Sequence, residues 1–438
     1  LVGVLAGVVA EVACVVGDFP AMRESALELI ERLPGCSTGV AEEQWQENRA
    51  LLQWLLAHNF TFLGHEVLDV TWGEAGPRVE VRAGSALGLL RTRRTPGADF
   101  LAQDLAGSGP QALRERSQVL FFKSTQRSRV HRSAHPDYVT ISCHDAAGRV
   151  VEQHNFLGLF AAVVYTMDPE EIPIVRRKVA RLIAWARPDA SSHRERTLRR
   201  VLGLLPRDEL FQSDEERLFR TAMRIFHIQE RRKTRLFVRF DSRERFASCL
   251  VYMPRDVYCT EIQQKIEAML MQALGAEASE CTTFFSESVL VGTYFVMRLG
   301  SPRPAAADVD ELESRVVRLC ERWQDQLQQS LLAEFDEEEG MRLVRLWGEA
   351  FPGAYRDDND ATTAVADIRE FERCAGGAMP GVRLYRSGQD EESMLCFRLY
   401  CPDRGATLSD VIPMLENLGM RVHGERPYRL VRADGREF

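Results

Sequence analysis

Two stretches of this chain repeat one order of elements: strand, polar turn, strand, then an amphipathic helix opened by a Thr. The first runs Thr234-Arg-Leu-Phe-Val-Arg-Phe240, then Ala247-Ser-Cys-Leu-Val-Tyr-Met253, then a helix from Thr260 to Leu274. The second runs Val382-Arg-Leu-Tyr385, then Met394-Leu-Cys-Phe-Arg-Leu-Tyr400, then a helix from Thr407 to Leu418. Period-two alternation followed by period-3.6 spacing predicts a hairpin packed under a helix, and hence an α+β fold. Small modules used more than once in a chain serve binding and assembly more readily than chemistry. The repeat therefore points to regulation before catalysis.

The bulk numbers leave room for several such modules. With 438 residues, 45% apolar and 27% charged, the chain can bury two to four separate cores. A net charge of -8 argues against nucleic acid as a partner. Only Lys123, Lys178, Lys233 and Lys265 are lysines, so 52 of the 56 cations are arginine and little lysine chemistry is on offer. Ten cysteines stand singly with no C-x-x-C, which predicts reduced thiols in a cytoplasmic protein rather than zinc or disulfides. Leu1 to Val16 is apolar apart from Glu11 but lacks a basic lead, so no signal peptide and no membrane span is expected. The chain opens in mid-helix and stops just after a turn at Asp434-Gly, as a piece of a longer protein would.

Along the chain, residues 1–40 read as a helical lead-in with Pro20 as a break, and residues 41–167 as an α+β domain. In that domain a helix over 42–58 precedes five antiparallel strands: 60–70, 78–82, 119–123, 138–144 and 150–165. Residues 168–230 read as a helical connector, with capping signals at Asp168-Pro-Glu-Glu171, Ser192-His-Arg-Glu195 and Ser213-Asp-Glu-Glu216. Pro173 places the first of these helices a few residues late. The first α+β module covers 231–330. Its strands 282–287 and 290–298 lead into a long helix with Val309, Leu312, Val316, Leu319, Trp323 and Leu327 on one face, Trp323 serving as core anchor. This strand-strand-helix-strand-strand-helix order is a circular rearrangement of the ferredoxin-like fold. Pro302-Arg-Pro304 is a loop and residues 334–339 a solvated acidic turn. Residues 331–380 form a second helical connector, and 381–438 an incomplete second module whose third strand is Arg421 to Val431.

Few side chains suggest a site. Lys123, Arg127, Arg129, His131 and Arg132 share one loop after a strand and form either an anion site or a contact between domains. A solvated loop with arginines paired to nearby acids is the plainer alternative. His131, His135 and His144 have no metal-ligand spacing. The run Arg231-Arg-Lys-Thr-Arg235 reads as a salt network at a domain joint, and Met269 and Met271 as core filler. There is no nucleophile with its base, no G-x-G-x-x-G and no P-loop. The residues thus give no catalytic, cofactor-binding or metal-ligating position.

Several strings, taken together, resemble the large NAD-specific glutamate dehydrogenases of bacteria. They include Asn59-Phe-Thr-Phe-Leu-Gly64, Ser128-Arg-Val-His-Arg132, Phe156-Leu-Gly-Leu-Phe160, Leu205-Pro-Arg-Asp-Glu-Leu-Phe-Gln212 and Cys249-Leu-Val-Tyr-Met-Pro-Arg-Asp256. Phe285-Ser-Glu-Ser288, Phe351-Pro-Gly-Ala-Tyr355, Leu415-Glu-Asn-Leu-Gly419 and Glu425-Arg-Pro-Tyr428 continue the series in order. The resemblance implies a PAS-like domain at 41–167 and ACT-like modules at 231–330 and 381–438, the latter truncated. It implies that the NAD site and catalytic residues of the parent enzyme lie beyond Phe438, so that NAD serves the parent and no cofactor binds here. The partners it implies are the catalytic core of the same chain, further copies in a homo-oligomer and an amino-acid effector. The rival readings are a purely architectural segment and a stand-alone small-molecule sensor.

Overall fold

A computed structural model describes residues 2–35, 41–73, 76–92, 119–186, 193–228, 232–241, 245–285, 289–300, 308–375, 380–385, 395–402 and 406–438. They fall into two compact units, Leu1–Val317 and Arg318–Phe438. The expected loop at Pro302–Pro304, the cap at Ser192 and the start of the basic run at Arg231 lie outside the described residues.

The first unit opens with helix α1 (Val2–Arg32), continuous through Pro20. A proline inside a helix removes one backbone bond, but Val15, Met22, Ala26, Leu29 and Ile30 are all buried and hold both halves in line. The expected break is therefore absent. By length and composition the stretch Leu5–Arg32 could cross a membrane; Val15, Met22, Ala26, Leu29 and Ile30 join the core, whereas Leu5, Val9, Val16 and Leu27 are exposed. Helix α2 (Glu42–Trp54) ends in a turn where His58 takes φ 67°, which swings the chain into the first strand. The sheet has strands β1 (Phe60–Gly73), β2 (Gly76–Val81), β3 (Leu87–Gly88), β4 (Val119–Lys123), β5 (Asp137–His144) and β6 (Val150–Phe160), with short helix α3 (Leu89–Thr92) after β3. Its path is β2-β1-β6-β5-β4, with β3 added beside β1. The extra strand sits close: a Cβ on Gly88, whose φ is +60°, would lie 2.3 Å from the Leu63 carbonyl oxygen. Strand β6 stops at Phe160 rather than Tyr165, because residues 162–165 coil into a 3-10 turn.

Helices α4 (Val175–Ala186), α5 (His193–Leu204), α6 (Arg207–Gln212) and α7 (Glu215–Ile228) follow. The Asp168 side chain accepts from Glu170 N in a 3-10 turn, and α4 begins only past Pro173, as the proline requires. At α7 the capping oxygen belongs to Asp214, which accepts from Arg217 N at 2.8 Å; Ser213 instead donates to Glu209. Leu29, Leu51, Phe62, Val139, Phe156, Leu182, Phe211 and Ala222 share one core.

The second sheet of this unit has β7 (Arg235–Phe240), β8 (Phe246–Pro254), β9 (Ala276–Phe285) and β10 (Leu290–Leu299). Helix α8 (Thr260–Leu274) lies between β8 and β9, and Cys259, not Thr260, occupies its N-cap position. The order β7-β8-β10-β9, antiparallel throughout, is the circularly rearranged ferredoxin-like sheet. Leu250, Tyr252 and Tyr294 reach from it into the shared core. Met269 and Met271 on α8 are half-buried, while Ile266, Leu270 and Leu274 carry its buried face.

The single long helix expected after this sheet is two, α9 (Val309–Cys320) and α10 (Trp323–Glu334), parted at Glu321-Arg322. Trp323 is half-buried at the start of α10, where its indole N–H donates to Asn359 O at 2.8 Å. It therefore anchors the second unit and not the first module. The residues expected as an acidic turn open helix α11 (Glu337–Trp347), whose cap Asp336 accepts from Glu339 N at 2.9 Å. Three acids in its first turn favour the positive end of the helix dipole. Helices α12 (Gly353–Asp358) and α13 (Ala361–Ala375) complete a helical layer around Trp347, which is fully buried. Strands β11 (Gly381–Tyr385) and β12 (Cys396–Tyr400) pair only with each other among the described residues, and α14 (Leu408–Asn417) follows. The strand expected over 421–431 is absent; only Val431 makes a bridge, to Glu437. That final hairpin is pinned to the helices, with Phe438 against Trp347 and Phe371, instead of extending the sheet.

Candidate functional site

The most concentrated chemistry of the first unit gathers on the six residues of α6. Pro206 sets the start of this helix, and the ammonium of Lys178 closes its other end. Lys178 Nζ donates to the carbonyls of Leu210, Phe211 and Ser213 at 3.0, 2.9 and 2.9 Å. Burial pulls that ammonium down to about 8. A helix this short cannot hold itself together, so these outside bonds fix it.

Two neighbouring acids then point to different sheets. Asp208 meets Lys123 of β4 at 3.1 Å, and the same ammonium meets Asp137 of β5 at 3.0 Å. Burial opposes a charged Lys123, but the two carboxylates win and hold it well above its ordinary range. Burial, with Asp208 nearby, pushes Asp137 up to about 6 against the pull of Lys123. Glu209 turns to the second sheet. It accepts from Arg239 Nε of β7 at 2.9 Å, Ser248 Oγ of β8 at 2.6 Å and Tyr294 Oη of β10 at 3.1 Å. Burial, then the Glu209 charge, raises the Tyr294 hydroxyl well above its ordinary value, so it stays a donor. Arg207 donates to Met167 O at 2.6 Å, and Phe211 stacks on Phe160 with centroids 4.8 Å apart. One turn of helix thereby binds both sheets through buried, charge-assisted bonds. The arrangement can transmit position between sheets; it presents no nucleophile and base.

The second unit carries a similar node. Asp367 of α13, 2% exposed, accepts from Tyr400 Oη at 2.7 Å and also from Tyr355 Oη and Arg398. Arg383 of β11 lies 3.7 Å from it. In both units a buried carboxylate on the preceding helices is held by arginine and tyrosine from the following strands.

The five residues singled out from the sequence do not converge. Lys123 belongs to the α6 junction. Arg127 pairs with Glu280 of β9, Arg129 with Glu11 of α1 at 2.6 Å, and Arg132 donates to Phe160 O at 3.0 Å. His131 is exposed, with φ 68°. Sequence reasoning passed over Asp208, Glu209 and Asp367; the first two lay inside the quoted string Leu205–Gln212, where an acid pair on so short a helix was the available signal. Among the described residues no group of three or more His, Cys, Asp or Glu is placed to hold a metal ion. Burial pushes Cys249 up to about 12 and Cys281 up to about 11, which leaves both thiols inert.

Comparison with known proteins accounts for these modules in order. Family models for glutamate dehydrogenase match helical motif 1 at residues 172–231, the ACT2 domain at 235–324, helical motif 2 at 330–374 and the ACT3 domain at 380–438. The NAD-specific glutamate dehydrogenase of Halomonas elongata is 37% identical over 428 residues, 98% of this chain. That of Pseudomonas aeruginosa is 39% identical over 433 residues, again 98% of the chain. Over 98% of its length the chain is similar to a part of these NAD-specific glutamate dehydrogenases. Its Mycobacterium tuberculosis relative is 29% identical over 441 residues. In each case the chain spans 26% of the relative's length. Within the glutamate dehydrogenase modules, α6 with its two acids lies in helical motif 1 and the strand partners of Glu209 lie in the ACT2 domain, whereas Lys123, the strand partner of Asp208, precedes the matched residues. Asp367 lies in helical motif 2 and its strand partners in the ACT3 domain.

Proposed function

We propose that this chain is a non-catalytic regulatory and assembly region of an NAD-dependent glutamate dehydrogenase. The parent reaction is the oxidation of L-glutamate with NAD and water to 2-oxoglutarate, ammonia and NADH, carried out in the cytoplasm by parts of the protein other than these residues. NAD serves that parent reaction, and neither NAD nor any metal has a role within this chain. The observation that carries the reading is the buried Lys123–Asp208/Glu209–Arg239 relay, which fixes one sheet relative to the next without building a reactive centre. A ligand that prefers one packing of these modules shifts the population by its differential affinity. The PAS-like reading of residues 41–167 belongs to this proposal. It is supported by an antiparallel sheet whose first and last strands, β1 and β6, pair at the centre. An amino-acid effector and homo-oligomeric contacts complete it.

The purified chain should produce no NADH from glutamate and NAD. A glutamate-dependent rate that co-purifies with it would defeat the reading. In the longer enzyme, Lys123→Met should change the response to effectors while leaving the effector-free kcat within about twofold. A collapse of kcat with no change in effector response would instead mark these residues as scaffold only.

A further inference from the structure

The first sheet has a second polar centre, unconnected with α6. Cross-strand partners in an antiparallel sheet share a face. On one face Glu66 of β1, Asn155 of β6 and Thr140 of β5 form a row, and Gln153 with Ser142 forms the next row beside Leu68. These are core positions: Glu66 is 1%, Thr140 1%, Asn155 2% and Gln153 3% exposed. A strand buried to this degree normally carries apolar side chains, as Val139, Ile141 and Phe156 do on the opposite face.

The amide orientation of Asn155 is set by its neighbour. Its Nδ2 donates to Glu66 Oε1 at 3.0 Å, which turns Oδ1 away from the carboxylate. Asn155 Oδ1 has no hydrogen-bond partner, and neither has Gln153 Oε1 two residues along the same face. At ~3.3 Å per residue the two amides stand roughly 6.6 Å apart. An unpartnered buried acceptor has given up its hydration with nothing in exchange. Two together, beside a carboxylate that polarises one of them, describe a surface short of donors.

We infer that this face is a binding site for the N–H-rich cationic group of a small molecule, a primary ammonium or a guanidinium. Such a group supplies the missing donors, and the Glu66 side of the row favours positive charge. Anions and aromatic bases without N–H donors are poor fits. The inference deepens the regulatory reading and rests on it for its purpose, because it gives an effector a place on the first sheet, away from the ACT domains.

The test uses the whole 438-residue chain and isothermal titration calorimetry. The probes are methylammonium, methylguanidinium and a panel of L-amino acids. Tetramethylammonium and the matching 2-oxo acids, which lack the N–H donors, are the controls. At least one donor-bearing probe should bind, the arms showing whether ammonium or guanidinium is preferred, and the controls should not. Gln153→Leu should weaken that probe at least tenfold. The same variant should melt no lower than the parent chain, since it removes an unpartnered acceptor and keeps the volume. Equal heats from probes and controls would overturn the inference. Unweakened binding in Gln153→Leu would overturn it too, while leaving an effector elsewhere, and so the regulatory reading, in place.

Discussion

Lys123 and Arg127 sit four residues apart in one basic segment, yet only the first is enclosed. The side chain of Lys123 is 11% exposed between two carboxylates, whereas that of Arg127 is 52% exposed against Glu280. Removing one member of a buried ionic group strands the rest, so Lys123→Met should cost about 3–5 kcal/mol in urea unfolding. Arg127→Ala should cost under ~1 kcal/mol, as exposed pairs do. The sequence could mark both as cations but not rank them, because Asp137 and Asp208 come from distant positions. His65 makes a second case. Burial, then the nearby His154, lowers it to about 3 from an ordinary 6.5. Below pH 6.5 the unfolded chain takes up a proton that the folded chain refuses until about pH 3. Stability should therefore drop as the pH is lowered from 6.5 to about 3, by up to about 1.4 kcal/mol per pH unit. His65→Phe, which keeps the stacking on Phe156, should flatten the acid limb of a stability-pH curve.

Helix α6 shows what an element needs when it is too short to stand alone. Lys178→Met would leave three carbonyls without their donor and should lower protection of the α6 amides in hydrogen exchange, at about 1–3 kcal/mol. Unchanged protection would mean the ammonium is dispensable. The two-period strands β7, β8, β11 and β12 were readable within a few residues, because alternation is a local signal. The break between α9 and α10 was not. Val309 to Leu327 keeps a continuous apolar stripe, and nothing local announces that Trp323 turns to Asn359. The same blindness hid the final hairpin, whose residues 421–430 alternate as a strand would but run without strand pairing. Strands β11 and β12 hold only one another among the described residues, and Val382 and Leu384 are both 53% exposed. Their amides should exchange much faster than those of β8 and β10, which are paired on both sides.

Across the molecule, module order was legible and module joints were not. Composition and repeated patterns predicted alternating sheets and helical segments, but the unit boundary at Val317–Arg318 falls inside α9, where no Pro or Gly marks it. Each unit has its own core, so calorimetry of the whole chain should resolve two transitions. A chain ending after Cys320 should keep one of them unchanged; loss of both would show the cores to be interdependent. The scarcity of lysine gains a practical meaning from the same packing. Lys123 and Lys178 are engaged inside the first unit, and only Lys233 and Lys265 are exposed. Amine-reactive esters should therefore acylate the native protein at those two side chains and spare the others. A lysine-specific endoprotease should cut first at Lys233, in irregular backbone, rather than at Lys265 within α8. Acylation appearing at Lys123 under rising denaturant would then time the opening of the first sheet directly.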